Sequence, residues 1–161
     1  YTWVDRGGSY LPSELQAAFL LAQLEAADRI QARRAVVVAR YRQGLEPLER
    51  AGRIVLPHPA PDVQGNHHIF WILLANGAER DRMIAHLKQR RIDARAHYVP
   101  LHTSPFGARW GRGKGSLPVV ERFGECLLRL PLHPHMSAQD ADRVVDGVTS
   151  FFQRSTWRVV K

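Results

Sequence analysis

The segment His97–His102, HYVPLH, places two imidazoles and a phenol within six residues. Imidazole changes charge near neutral pH and can donate, accept or shuttle a proton. The run falls where an extended stretch gives way to a loop, and loops carried on a rigid scaffold are where sites concentrate. The same residues also suit a strand end with surface histidines, and both readings stand at this level. A metal centre would have to combine His97 and His102 with His133 and His135, or with the adjacent His67 and His68. Zinc needs three or four converging ligands at familiar spacings; there is no Cys pair, and H-P-H is not the i, i+4 pair of a helix, so no metal is expected. The run GRGKGS, Gly111–Ser116, resembles a phosphate loop, but Ala108 stands at its first glycine position and Gly115 at its Ser/Thr position. A lid is the better expectation there. Cys126, between Phe123 and Leu127, reads as a small core residue, and no G-x-S-x-G elbow is present.

These groups need elements to hold them. Ser13 and Gln16 have the spacing of a capping box and predict a helix over 14–26, preceded by a Gly7-Gly8 turn. Ala17, Ala18, Ala22, Ala26 and Ala27 keep it slim, and its first N–H groups suit a phosphate. Asp28 would cap a second helix carrying Ile30, Val37, Tyr41, Leu45 and Leu48, with Pro47 near its end. Short strands are expected over 53–56, 67–74 and 92–99. The middle one has apolar residues on both faces and so should be covered twice. Helices are expected over 79–91 and 117–126, a long loop over 100–116, and an extended piece over 128–132. Ser137 would cap a last helix that buries Ala141, Val144, Val145, Val148, Phe151 and Phe152. The sum is α+β: a small antiparallel sheet with helices packed on one face. Residues 1–27 are expected to belong to something larger, because a lone loop and helix cannot bury itself, and 28–161 to form the domain proper.

Composition narrows the classes. A chain of 161 residues, 45% hydrophobic and 24% charged, fits a globular protein. No apolar run nears the roughly 20 residues of a membrane helix, so no membrane partner is expected. The single cysteine fits a reducing compartment, with the cytoplasm as the default. The net charge of +8 rests almost wholly on arginine, since only Lys88, Lys114 and Lys161 are lysines. Arginine favours phosphate and carboxylate partners, yet these arginines are scattered among acids, which argues against a nucleic-acid partner. A basic nucleic-acid module, with Trp110 between Arg109 and Arg112, and a non-catalytic dimerisation or regulatory domain are the competing readings. The ordered-looking start at Tyr1 reads as the continuation of a longer polypeptide.

The blocks YTWVDRGGSYLPSELQAA, QLEAAD, HYVPLHTSPFG and LPVVERFGECLLRLPLHPHMS together resemble the C-terminal part of sugar-nucleotide aminotransferases of the DegT/DnrJ/StrS family, in particular its dideoxygalactose transaminase branch. The resemblance implies the small C-terminal domain of a fold type I enzyme, pyridoxal 5′-phosphate as cofactor and a homodimer with sites at the subunit interface. It also implies a nucleotide-sugar substrate, a dTDP-linked 4-keto-6-deoxy sugar, and glutamate as amino donor, in deoxysugar biosynthesis. Many members carry G-x-N-Y-R before the capped helix, its Asn reaching the cofactor phosphate. Here Gly7 and Tyr10 match, Ser9 replaces the Asn and Leu11 the Arg, making Ser9 and Tyr10 the cofactor-side candidates. His97, Tyr98 and His102 fall where the family faces its nucleotide-sugar. The Schiff-base lysine and the carboxylate at the pyridine nitrogen are expected upstream of Tyr1, so these residues alone should not transaminate.

Overall fold

Alternation along two short strands decides which side chains enter the core and which meet the candidate site. The structure, a computed structural model, describes residues 2–112 and 115–154. Strand β1 (Phe70–Leu73) pairs antiparallel with β2 (Leu127–Leu130), in the register Phe70↔Leu130, Trp71↔Arg129, Ile72↔Leu128 and Leu73↔Leu127. Successive side chains point to opposite faces. Phe70, Ile72, Leu128 and Leu130 therefore share one face and join the buried cluster. Trp71, Leu73, Leu127 and Arg129 share the other.

The expected strands over 53–56 and 92–99 contract to single bridges, Val55↔Leu73 on one edge and Arg95↔Arg129 on the other. Burial still alternates in the second, with Ile92 and Ala94 buried and Asp93 and Arg95 exposed, so the chain there is extended. Only Arg95 lies close enough to exchange both of its backbone bonds with Arg129, at 3.0 and 2.8 Å.

Helix α1 (Glu14–Glu25) begins with the expected capping box: the Gln16 N–H donates to Ser13 Oγ and the Ser13 N–H to Gln16 Oε1. None of its residues is buried; Leu15 is 85% and Phe19 71% exposed. Helix α2 (Ala27–Arg50) follows after one residue. Asp28 is not its cap: Ala26 holds that position without a side-chain bond, and Asp28 sits in the first turn, where a carboxylate suits the helix dipole. Pro47 is accommodated within the last turn of the helix.

Helices α2, α3 (Gly77–Gln89) and α6 (Ala138–Arg154) bury Tyr41, Leu45, Met83, Leu87, Ala141 and Val148 against the core face of the sheet. Each large apolar side chain fully buried there contributes about 1.5–3 kcal/mol. The Tyr41 hydroxyl, deep in this core, donates to the Pro131 carbonyl at 2.6 Å, and burial pushes its ionisation well above the usual tyrosine value. Ser137 and Asp140 form a reciprocal cap at the start of α6, as its sequence predicts. Arg40 on α2 makes a two-pronged pair with Asp142 on α6.

The helices do not all gather on one face. Helix α5 (Pro118–Cys126) crosses the second face, where Phe123 meets Trp71 edge-on at 5.6 Å. This confirms that the central strand is covered twice. Cys126 is a buried core residue whose thiol is pushed up by burial.

Helix α2 passes close to α6 at Gly44, where an added Cβ would lie 2.6 Å from Val145 Cγ1. Gly44→Ala gains about 1 kcal/mol of helix propensity but costs about 1–3 kcal/mol through overpacking. Urea denaturation should show a net loss of about 1 kcal/mol, and Val145→Ala should raise stability in the Gly44→Ala background. A lowering there would show that the close approach is not the constraint.

Candidate functional site

The second face of the sheet ends in a cavity of about 410 Å³. His97, Tyr98, Leu101 and His102 line it from one side, Trp3 from the N-terminal segment, and Leu117, Val120, Phe123 and Leu127 from α5 and β2. The bridge at Arg95 dictates part of this: His97 lies two residues further along an extended chain and returns to the Arg129 side. Arg129 Nη1 lies 3.2 Å from His97 Nδ1. A guanidinium only donates, so Nδ1 accepts and the ring proton sits on Nε2. Burial, reinforced by the charges of Arg129 and Arg95, holds the His97 imidazole below its ordinary value, in the neutral form. Arg95 is itself clasped by Asp93 through Nε and Nη2.

Tyr98 is 52% exposed, its ring flanked by His97 at 4.7 Å and Trp3 at 6.3 Å. The Trp3 carbonyl accepts the Phe106 N–H at 3.0 Å, tying the N-terminal segment to the cavity rim. That rim is not the structureless stretch expected over 100–116. A 3₁₀ turn (Leu101–Thr103) leads into helix α4 (Pro105–Trp110). Ser104, fully buried, donates to the Leu101 carbonyl at 2.7 Å and accepts the Gly107 N–H at 3.0 Å. A Cβ at Gly107 would lie 1.7 Å from the Leu101 carbonyl oxygen, so only glycine fits. Ser104 followed by Pro105 is a helix-start signature that was available in the sequence.

His102 is held from α5. Its Nε2 lies 3.0 Å from Glu121 Oε1, and Glu121 also accepts the Leu117 N–H at 2.8 Å and the Ser116 hydroxyl at 3.1 Å. These bonds, that from His102 foremost, hold the Glu121 carboxyl below the usual carboxylate range.

The structure thus brings His97, Tyr98 and His102 together. Ser9 and Tyr10 lie outside the lining of the cavity and are exposed, the Tyr10 ring resting over Gly8, where a Cβ would meet it at 2.6 Å. The histidines considered for a metal do not converge with them. His133 and His135 face one another at 6.5 Å, and among the described residues no three His, Cys, Asp or Glu side chains could hold an ion. Gly113 and Lys114 of the glycine run, with Tyr1 and Lys161, lie outside the described residues. The residues missed by sequence reasoning are Trp3, Arg129 and Glu121. Glu121 did have a signal, a carboxylate three residues past the proline that opens its helix. Arg129 had none, since only the register brings it beside His97, and Trp3 had none, since a long-range bond from the Phe106 N–H brings it to the rim. Some arginines elsewhere meet single partners, Arg50 with Glu46 and Arg80 with Asp81, and Arg109 lies over Trp110 at 5.1 Å. Among the described residues, no helix is long and apolar enough to cross a membrane.

Comparison with known proteins agrees with this architecture. Residues 3–149 match the DegT/DnrJ/EryC1/StrS aminotransferase family. A dTDP-3-amino-3,4,6-trideoxy-alpha-D-glucose transaminase from Streptomyces venezuelae is 36% identical over 155 residues, covering 96% of this chain and 39% of that protein. The crystal structure of S. venezuelae DesV in complex with a ketimine intermediate superposes with a TM-score of 0.79 at 37% identity, over 88% of this chain and 37% of that one. A putative sugar aminotransferase, Spr1654 from Streptococcus pneumoniae, in its PMP form gives a TM-score of 0.76 at 25% identity, over 88% and 35%. The chain spans about two-fifths of the length of the curated relatives it matches.

Because His97 is held neutral, protonating it opposes the folded state. Its contribution is present above the unfolded value near pH 6.5 and is lost as pH falls below it. Thermal melts should show that wild type loses more stability between pH 7.5 and 5.0 than His97→Gln does. Equal losses would remove His97 as the source.

Proposed function

Since the chain belongs to the DegT/DnrJ/EryC1/StrS aminotransferase family, we propose that it forms the smaller lobe of a pyridoxal 5′-phosphate enzyme that aminates a nucleotide-linked keto sugar. The observation that carries this reading is the gathering of His97, Tyr98 and His102 with Trp3 and Phe123 around one cavity. Exposed aromatic faces suit stacking against a base or a sugar ring. Two imidazoles and the Arg129 guanidinium add directional polar groups beside them.

The described residues do not by themselves fit the covalent anchorage of the cofactor. Lys88, the one lysine among them, is exposed on α3 and lines a surface recess with Ile84, Arg91 and Asp93, apart from the residues of the His97 cavity. When bound, pyridoxal 5′-phosphate supplies an electron sink for moving an amino group. We place its lysine and its carboxylate partner outside these 161 residues. Ser9 and Tyr10, exposed and projecting from the turn before α1, then reach a cofactor phosphate held by a neighbouring subunit of a homodimer. The bare apolar side chains of α1 support assigning residues 1–27 to the larger lobe and 28–161 to this one. The role of this chain is to bind the sugar nucleotide, orient its keto carbon and exclude water.

The proposed reaction takes an amino group from glutamate, leaving 2-oxoglutarate, and puts it on a dTDP-linked 4-keto-6-deoxy sugar in place of the keto oxygen. The S. venezuelae relative's name sets its amino group on carbon 3, so 3-keto and 4-keto sugars are the two substrates to assay. In a polypeptide of the relatives' full length, His97→Ala and Tyr98→Ala should each raise KM for the sugar nucleotide about tenfold or more, the scale of a lost positioned contact. The 161-residue chain alone, given pyridoxal 5′-phosphate, glutamate and the keto sugar, should form no 2-oxoglutarate, whatever label borohydride leaves on the accessible Lys88. An unchanged KM in both variants, or turnover by the short chain, would overturn the reading.

A further inference from the structure

The two histidines of the cavity are held by different partners, and the partners impose opposite hydrogen-bonding characters. Arg129 donates to His97 Nδ1, which leaves an Nε2–H donor on that ring. Glu121 faces the other ring through Nε2. An ionised carboxylate only accepts, so His102 Nε2 carries a proton, and in the neutral ring Nδ1 then keeps the lone pair. Glu121 is itself fixed at three points: the His102 ring, the Leu117 N–H and the Ser116 hydroxyl. It is therefore anchored to the start of α5 before it touches the histidine.

We infer that Glu121 is a positioning residue that locks His102 in its Nε2–H form, so that the cavity offers a hydrogen-bond acceptor at His102 Nδ1 beside a donor at His97 Nε2. The ligand group that matches His102 is a hydroxyl or N–H, such as a hydroxyl of the sugar. It is not an oxyanion of the diphosphate, whose lone pairs would meet that of Nδ1. This ligand assignment rests on the nucleotide-sugar reading above; the locking of the ring by Glu121 does not.

Long-range ¹H–¹⁵N correlation spectra of the imidazoles read the tautomer directly at neutral pH. Wild type should show His102 as Nε2–H. Glu121→Ala should give a mixture of both neutral tautomers while circular dichroism shows α5 retained. Glu121→Gln, whose amide oxygen still accepts, should restore the wild-type pattern, and Ser116→Ala should leave it unchanged. In the full-length polypeptide, Glu121→Ala should raise KM for the sugar nucleotide about tenfold, and Glu121→Gln less than threefold. A wild-type ring that is mainly Nδ1–H would overturn the inference even if the alanine variant does not fold. So would a folded Glu121→Ala with unaltered His102 signals. Absence of nucleotide-sugar turnover in the wild-type full-length polypeptide, with the tautomer still controlled by Glu121, supports the positioning role and overturns the substrate reading alone.

Discussion

Four residue pairs between Phe70–Leu73 and Leu127–Leu130 are what the remaining structure depends on. Their strict alternation assigns every side chain of the two strands to the core or to the cavity face. Phe70 and Ile72 anchor the packing of α2, α3 and α6, while Leu127 lines the cavity and Arg129 holds His97 at its edge. A shift of one residue in this register would exchange the two sets. It would bring Arg129 into an apolar core and remove Leu128 from it. The cost of burying an unpaired guanidinium is large enough to exclude the alternative. Stability and site geometry are thus two outcomes of one pairing, with the core acting as its enforcer.

Much of this was legible in the residues. The capping box at Ser13 and Gln16, the apolar stripe of α2 from Val37 to Leu45, the two-faced run at Phe70–Leu73 and the Ser137 cap all act locally, over one helical turn or one strand. Local physics reads well from local sequence. The HYVPLH segment could be named for the same reason. What was not legible needed distance. Whether 53–56 and 92–99 extend into strands depends on how far a neighbour's backbone runs alongside, and only Val55 and Arg95 find partners. Asp28 had the composition of a cap, but α2 starts too soon after α1 for it to serve as one. The rim over 100–116 looked unstructured because its glycines dominate the composition. The order there comes from Ser104 and from one glycine fitted against a carbonyl.

Charge follows the same economy. An arginine-rich chain could present a broad basic face, yet Arg40, Arg50, Arg80 and Arg95 each meet a carboxylate close at hand. Exposed pairs of this kind add little stability. Beside the cavity, Arg129 acts on His97 by direct contact and Arg95 by its charge. Selectivity there derives from which ring nitrogen is free, a finer criterion than the sign of a charge.

The junction at Ala26 has a mechanical consequence. One alanine, with no side-chain bond, ends α1 and begins α2. The twelve residues of α1 form an arm about 18 Å long at 1.5 Å per residue, so a rotation of about 10° at that pivot carries its far end through about 3 Å. Beyond the far end the chain runs back through Gly7 and Gly8 to Trp3, whose carbonyl is fastened to Phe106. Residues 2–26 are therefore held at two points, the Ala26 junction and the Trp3–Phe106 bond, and the rim hydrogen bond rather than the helix fixes the tryptophan beside the cavity.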